Sequence, residues 1–179
     1  EGILSTEFKG LIVQHDIMED FNVFEMMLFT LWIYLPGFLV NTFAMMWGKW
    51  LPKTGYGPWP IDGGRLHKDG NRLLGDGKTW NGLIGGSLTS GLLCYLMTMV
   101  PENWVFISPT EAATGWAASA FVMGTFLGFT SLVGDSTGSY FKRRKGMKRE
   151  GNVSSKAPLL DTLPFAISVF IFGQIFLTG

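Results

Sequence analysis

The sequence predicts an all-α integral membrane protein, a bundle of four to five transmembrane helices with two cytoplasmic loops. Three observations carry this reading. Only 16% of the 179 residues are charged, while 47% are hydrophobic; an ordinary soluble domain has roughly 25% charged residues. The deficit is concentrated, because no Asp, Glu, Lys or Arg lies between Glu25 and Lys49, Lys78 and Glu102, Glu111 and Asp135, or after Asp161, gaps of 18 to 23 residues. A helix crossing a hydrocarbon core needs about 20 mostly apolar residues. The apolar runs are continuous and do not alternate, so they read as helices and not as the strands of a barrel.

Taken in order, the spans are expected at about 23–47, 82–100, 112–133 and 157–177. Gly85, Gly86, Ser90 and Gly91 in the second, and Gly115, Ala117, Ala118 and Ala120 in the third, are small enough to let helices pack closely. Trp47, Trp50, Tyr56, Trp59, Trp80 and Trp104 fall near span ends, where amphipathic rings anchor at the interface. Of the 14 Lys and Arg, six lie in residues 48–80 and seven in 141–156. The loops 48–81 and 136–156 are therefore expected to be cytoplasmic, with the acidic N-terminus outside. Residues 1–22 read as an extracellular or extraneous N-terminal segment, and 23–179 as a single transmembrane domain. No signal-peptide pattern precedes the first span.

Composition also excludes several functions. With no net charge and a pI near 7.0, there is no basic field for nucleic acid. The single Cys94 cannot form an internal disulfide. His15 and His67 are too few and too far apart for a zinc or haem site.

The sharpest local signal runs from Gly134-Asp135 to Lys148. If the third span continues as helix through it, Asp135, Ser139, Lys142 and Arg143 share one face. An Asp suits a hard cation, and Lys and Arg suit phosphate oxygens, which together equip a site for magnesium and a nucleotide. The alternative for Arg144, Lys145 and Arg149 is retention of the loop on the cytoplasmic side beside anionic head groups. Asp161, in Ala157-Pro158-Leu159-Leu160-Asp161, is a second acid at the edge of an apolar span, where an acid is costly unless used. It is the natural partner of Asp135 for Mg²⁺, although a helix-cap role is also open.

The loop Asp62 to Gly82 contains Gly77-Lys78-Thr79, yet Arg72 stands where a P-loop needs glycine. Its glycines still expose amides, and Lys78, Thr79 and Arg72 suit phosphate. Asp62, Asp69 and Asp76 read nearly as well as simple turn residues. Asn41, beside Pro36 and Gly37, suits either an interhelical hydrogen bond or a pocket wall. Glu25 reads as an interface residue.

These pieces in order resemble the CDP-archaeol synthases, the archaeal membrane CTP transferases related to CDP-diacylglycerol synthases: Leu35-Pro36 with Asn41, Pro60-Ile61-Asp62, Asp69-Gly70-Asn71-Arg72, Gly75-Asp76-Gly77-Lys78-Thr79-Trp80, Gly134-Asp135-Ser136 with Ser139 and Lys142-Arg143, and Pro158-Leu159-Leu160-Asp161. Lys142-Arg143 followed by Lys148 also resembles part of the wider cytidylyltransferase signature. The chain lacks that signature's His-Gly-Gly and Asp-Arg elements near Asp161, which favours the archaeal branch. It shows four clear spans where the family is expected to have five.

The resemblance implies CMP transfer from CTP to 2,3-bis-O-geranylgeranylglycerol phosphate, with release of pyrophosphate. It implies Asp135 and Asp161 for Mg²⁺, and Lys78, Lys142, Arg143, Arg72 and Lys148 for phosphate groups. Gly75, Gly77, Lys78 and Thr79 would form the nucleotide cradle, with Ser139 a hydroxyl contact and Asn41 a wall. The main rival is an ion or solute transporter using Asp135 and Asp161. A CDP-alcohol phosphotransferase would need an Asp-Gly-x₂-Ala-Arg element that is missing here, and a non-catalytic scaffold gives the charged glycine-rich loop no purpose.

Overall fold

In the computed structural model, which describes residues 22–100, 117–147 and 158–176, Asn22 and Glu25 start the first helix. The Asn22 amide donates to Glu25 Oε2 at 2.9 Å, and the Glu25 amide to Asn22 Oδ1 at 3.0 Å. This reciprocal cap satisfies two amides that a helix start leaves without partners. Glu25 is thus a capping residue, a role its position in the sequence did not suggest. The chain divides into two units, Glu1–Ile33 and Tyr34–Gly179, and the second holds the core.

Four α-helices are described: α1 (Val23–Trp50), α2 (Trp80–Met97), α3 (Ala117–Arg144) and α4 (Pro158–Phe176), with a short 3₁₀ turn at Leu51–Thr54. The described residues form no extended strands, only the isolated bridges Pro60–Thr79 and Leu66–Arg72. The all-helical expectation is met, with one change of boundary. The third helix does not stop at residue 133 but runs through Asp135 and Ser139 to Arg144, so the loop expected from 136 begins about nine residues later. The N-terminal segment, the 101–116 connection, Lys148 and the Asp161 side chain lie outside the described residues.

Small residues set the helix spacing, as their pattern implied. A Cβ on Gly86 would meet Ala44 at 3.0 Å, and one on Gly124 would lie 3.0 Å from the Ser90 carbonyl and 2.4 Å from Cys94 Cβ. Buried Ser90 donates from α2 to the Pro36 carbonyl of α1 at 2.9 Å. Around these contacts Val40, Leu83, Leu127, Leu132, Phe165, Val169 and Phe172 form the core. Gly91→Ala should be costly here. Its methyl would fall 2.1 Å from Thr125 Oγ1 and 2.6 Å from the Phe121 carbonyl, so α2 and α3 must separate. We expect a loss of about 1–3 kcal/mol, seen as a lowered Tm in detergent; an unchanged Tm would mean the two helices are not packed this closely.

The outward faces are apolar. On α2, Ile84, Leu88, Leu92 and Leu96 are all at least 47% exposed and recur every four residues, while Ser87, Ser90 and Gly91 are buried. Phe126, Phe129 and Val133 on α3, and Leu163, Ile167, Phe170 and Ile171 on α4, are likewise exposed. Apolar surface on this scale marks a membrane or partner face. No single described helix is long and apolar enough to cross a membrane; Val23–Trp32 and Tyr34–Thr54 meet the requirement only as a bent pair, by length and composition. Among the described residues the four independently qualifying spans expected from the sequence are therefore not confirmed; the buried Gly and Ser of α2 lower its average, and α4 contributes the shorter apolar stretch Thr162–Ile175.

Candidate active site

The loop between α1 and α2 is built around one carboxylate. Asp62 is buried, and it accepts from Arg72 Nη2 at 2.7 Å and Nε at 3.2 Å. It also accepts from the amides of Gly64 at 3.1 Å, Leu74 at 3.0 Å and Gly75 at 3.0 Å. Burial alone would raise the Asp62 pKa; the Arg72 guanidinium and the three amides outweigh it and hold the carboxyl well below the usual carboxylate range. Because the folded pKa is depressed, the stability this group contributes is complete above its ordinary value of 3.8 and is lost as pH falls through the lower folded value. The Tm should therefore fall on acidification below about pH 4, and Asp62→Asn should flatten that part of the profile. Parallel profiles for the two proteins would remove Asp62 from the account.

Two connections fix this loop to α3. Arg144 donates to both oxygens of Asp69 at 2.8 Å and to the Arg72 carbonyl at 2.7 Å, with its guanidinium 5.2 Å from the Tyr140 ring centre. Asp69 is itself lowered in pKa, first by the Asn71 amide and also by Arg144. The basic run around Arg144 suggests lipid head groups; the structure instead gives Arg144 to the loop. The second connection is the ion pair between Lys78 Nζ and Asp135 Oδ2. Beside it Arg143 lies along Gly75, where a Cβ would meet Arg143 Nε at 3.2 Å. Gly75 also has φ +96°, so both conformation and space require glycine there.

Of the expected residues, Lys78 meets Asp135 and Gly75 meets Arg143, whose Nη1 donates to the Met147 carbonyl. Ser139 is buried on α3, one turn beyond Asp135, and Lys142 is half-buried in the last turn of α3. Thr79 caps α2, its Oγ1 accepting from the Gly82 amide at 3.1 Å. Gly77 stands between Asp76 and Lys78 in the turn. Arg72, expected at phosphate, is engaged by Asp62 and by Asp76 at 2.7 Å. Asn41 is exposed on α1, beside buried Val40. Asp62 and Asn81 are the residues that sequence reasoning undervalued. Asn81 Nδ2 donates to the Tyr56 carbonyl at 3.0 Å and its Oδ1 accepts from the Trp59 amide at 3.3 Å, and a Cβ on Gly57 would press into it at 2.6 Å. An open cleft of about 490 Å³ adjoins the loop, lined by Ile61, Arg65, Leu73, Trp80 and Tyr140 among others.

Among the described residues no three His, Cys, Asp or Glu side chains cluster to cage a metal. The donor set still fits Mg²⁺, an ion usually held through one or two carboxylates plus substrate phosphates, because Asp135 supplies a carboxylate and its partner Lys78 is a cation suited to those phosphates.

An apolar-faced helical bundle whose glycine-rich loop sets a lysine on one helix carboxylate and packs an arginine along its turn defines a class, that of enzymes acting on phosphate groups at a membrane. The comparisons with known proteins make it specific. Residues 23–178 match the CarS-like family model, described as CDP-archaeol synthase. The CDP-archaeol synthase of Thermococcus onnurineus (strain NA1) is 38% identical over 150 residues, covering 82% of this chain and 74% of the relative. That of Methanosarcina acetivorans is 37% identical over 147 residues, covering 77% and 73%. A solved structure, described as an intramembrane enzyme for archaeal membrane lipids biosynthesis, aligns with a TM-score of 0.55 and 28% identity over 82% of this chain and 76% of that one. The chain belongs to the CDP-archaeol synthase family and is a CTP-dependent nucleotidyltransferase. This membership does not favour the transporter reading.

Proposed function

We propose that this protein transfers CMP from CTP to 2,3-bis-O-geranylgeranylglycerol phosphate, giving CDP-archaeol in its unsaturated form and pyrophosphate, with Mg²⁺ as cofactor. The observation that carries the reading is the meeting of Lys78 with Asp135 beside Arg143. A lipid phosphate is already an anion at neutral pH, so its oxygen attacks the α-phosphorus of CTP without a side-chain base. One P–O bond forms to the lipid phosphate, the bond from the α-phosphorus to the β-phosphate oxygen breaks, and pyrophosphate leaves.

The chain's part is positioning and charge neutralisation. Lys78 and Arg143 meet the triphosphate, joined by Lys142 and Lys148, with the Gly75–Thr79 segment as cradle and Ser139 contributing a hydroxyl. Asn41 forms a wall on the lipid side. Asp135, with Asp161, would hold Mg²⁺, which supplies further neutralisation of phosphate charge when bound. Residues 23–179 form one multi-pass membrane domain, with the connection between α1 and α2 and the segment that follows Arg144 cytoplasmic and the N-terminus outside. The exposed apolar faces of α2, α3 and α4 support the membrane assignment. They keep isoprenoid tails in lipid while the head group enters the loop.

The test is incubation of detergent-purified protein with CTP, Mg²⁺ and the geranylgeranyl glycerol phosphate, following pyrophosphate and lipid-bound CMP together. Equal yields of both, lost with EDTA, are expected. Intact CTP in a folded, lipid-supplied preparation would overturn the substrate assignment, and undiminished turnover in EDTA would overturn the Mg²⁺ assignment.

A further inference from the structure

We infer that Asp62 and Arg72 are positioning residues which preshape the Gly75–Lys78 turn for the triphosphate without touching it, an assignment that rests on the proposed CTP reaction. The argument begins with how completely the turn is held from below. Asp62 Oδ2 takes the amides of both Leu74 and Gly75, and the Gly75 carbonyl accepts from the Lys78 amide at 3.1 Å. The Lys78 carbonyl in turn accepts from the amide of Ile61 at 2.9 Å, the residue next to Asp62. Two adjacent residues, Ile61 and Asp62, thus grip both ends of a four-residue turn. The direction in which Lys78 leaves the loop is set before any ligand arrives, and that direction leads to Asp135.

Arg72 completes the arrangement. Its Nε and Nη2 lie on Asp62, and its Nη1 lies on Asp76 within the turn itself. The Asp62 side chain is 1% exposed, so it reaches no soluble ligand, and all three terminal Arg72 nitrogens already have carboxylate partners. Among the described residues, the amides of Asp76 and Gly77 at the tip of the turn donate to no backbone carbonyl. They and Lys78 are what the turn presents to an anion. A buried, multiply bonded carboxylate under a phosphate-binding turn lowers the ordering cost of binding, because the turn does not have to be organised when the nucleotide arrives.

Asp62→Asn and Arg72→Lys test this. Asn removes the charge and places an NH₂ where an amide or guanidinium now donates; Lys keeps the charge of Arg72 but cannot fork between Asp62 and Asp76. The readouts are CTP binding by calorimetry, KM for CTP, KM for the lipid phosphate, and Tm. We expect CTP affinity to fall and KM for CTP to rise at least tenfold in both variants, with KM for the lipid within about twofold of wild type. Unchanged CTP affinity in either folded variant overturns the inference. So does loss of kcat and both substrates' binding in step with loss of folded protein, or failure of both variants to fold, since each would make the pair a purely structural support. If wild-type protein binds no CTP, the underlying reaction is wrong instead, a result seen before any variant is made.

Discussion

Asp135→Asn should reduce CMP transfer at least a hundredfold while leaving KM for CTP no higher than in wild type. Two opposite effects follow from one substitution. Asp135 pairs with Lys78, and in the proposed reaction its carboxylate also holds the cation that neutralises phosphate charge. The neutral amide loses that second role, and removing one well-placed electrostatic contribution in an active site costs about 10²–10³ in kcat. The same change releases Lys78 from its pair and leaves its full charge for the triphosphate. Binding therefore holds or tightens while turnover collapses. The variant should fold, because Asp135 is about one-fifth exposed and Asn keeps its shape. Steady-state kinetics with CTP varied at fixed lipid, beside a thermal melt, measures the split. A kcat within threefold of wild type would remove Asp135 from the chemistry; a large rise in KM for CTP would show that the pair with Lys78 organises the site instead of holding it ready.

The parts of this molecule that could be read from the sequence are those governed by local composition. The uncharged stretches became helices, and the Gly and Ser positions became helix contacts, because both depend on averages over a turn or two. The loop was harder. Asp62 bonds to residues two, ten, twelve and thirteen positions away, and no periodicity announces such a centre. An Asp followed by two glycines reads first as a turn. Arg72 and Arg144 show the complementary difficulty. Arg144 stands in a basic run and Arg72 in a glycine-rich loop, where charge suggests lipid or phosphate, yet both pair with aspartates of the same loop. Arg143 differs from Arg144 only in the side of α3 on which it falls, and that side decides whether it meets Gly75 or Asp69. Such a distinction becomes visible once α3 is known to continue to Arg144.

Lys78→Met should give the reverse of the Asp135 result, a rise in KM for CTP of about 10- to 100-fold with a smaller fall in kcat. A hydrogen bond from a charged group contributes about 1.5–3 kcal/mol, and each 1.4 kcal/mol is tenfold in affinity. Lys78 reaches the site from a turn whose backbone is fixed at both ends, so little of that contribution is lost to ordering the chain. Methionine matches the length and apolar stem of lysine but carries no charge, and it leaves the Asp135 carboxylate without its partner. That carboxylate then repels the triphosphate, which places the expected change toward the upper end of the range at low salt and lower at high salt. The double variant Lys78→Met with Asp135→Asn separates the two contributions. If repulsion by the uncompensated carboxylate matters, the double variant binds CTP more tightly than Lys78→Met alone, though it remains inactive. If the two bind alike, only the missing cation counts. A single variant with wild-type KM for CTP would mean that Lys78 serves Asp135 and the fold, and that Arg143 and its neighbours carry the triphosphate without it.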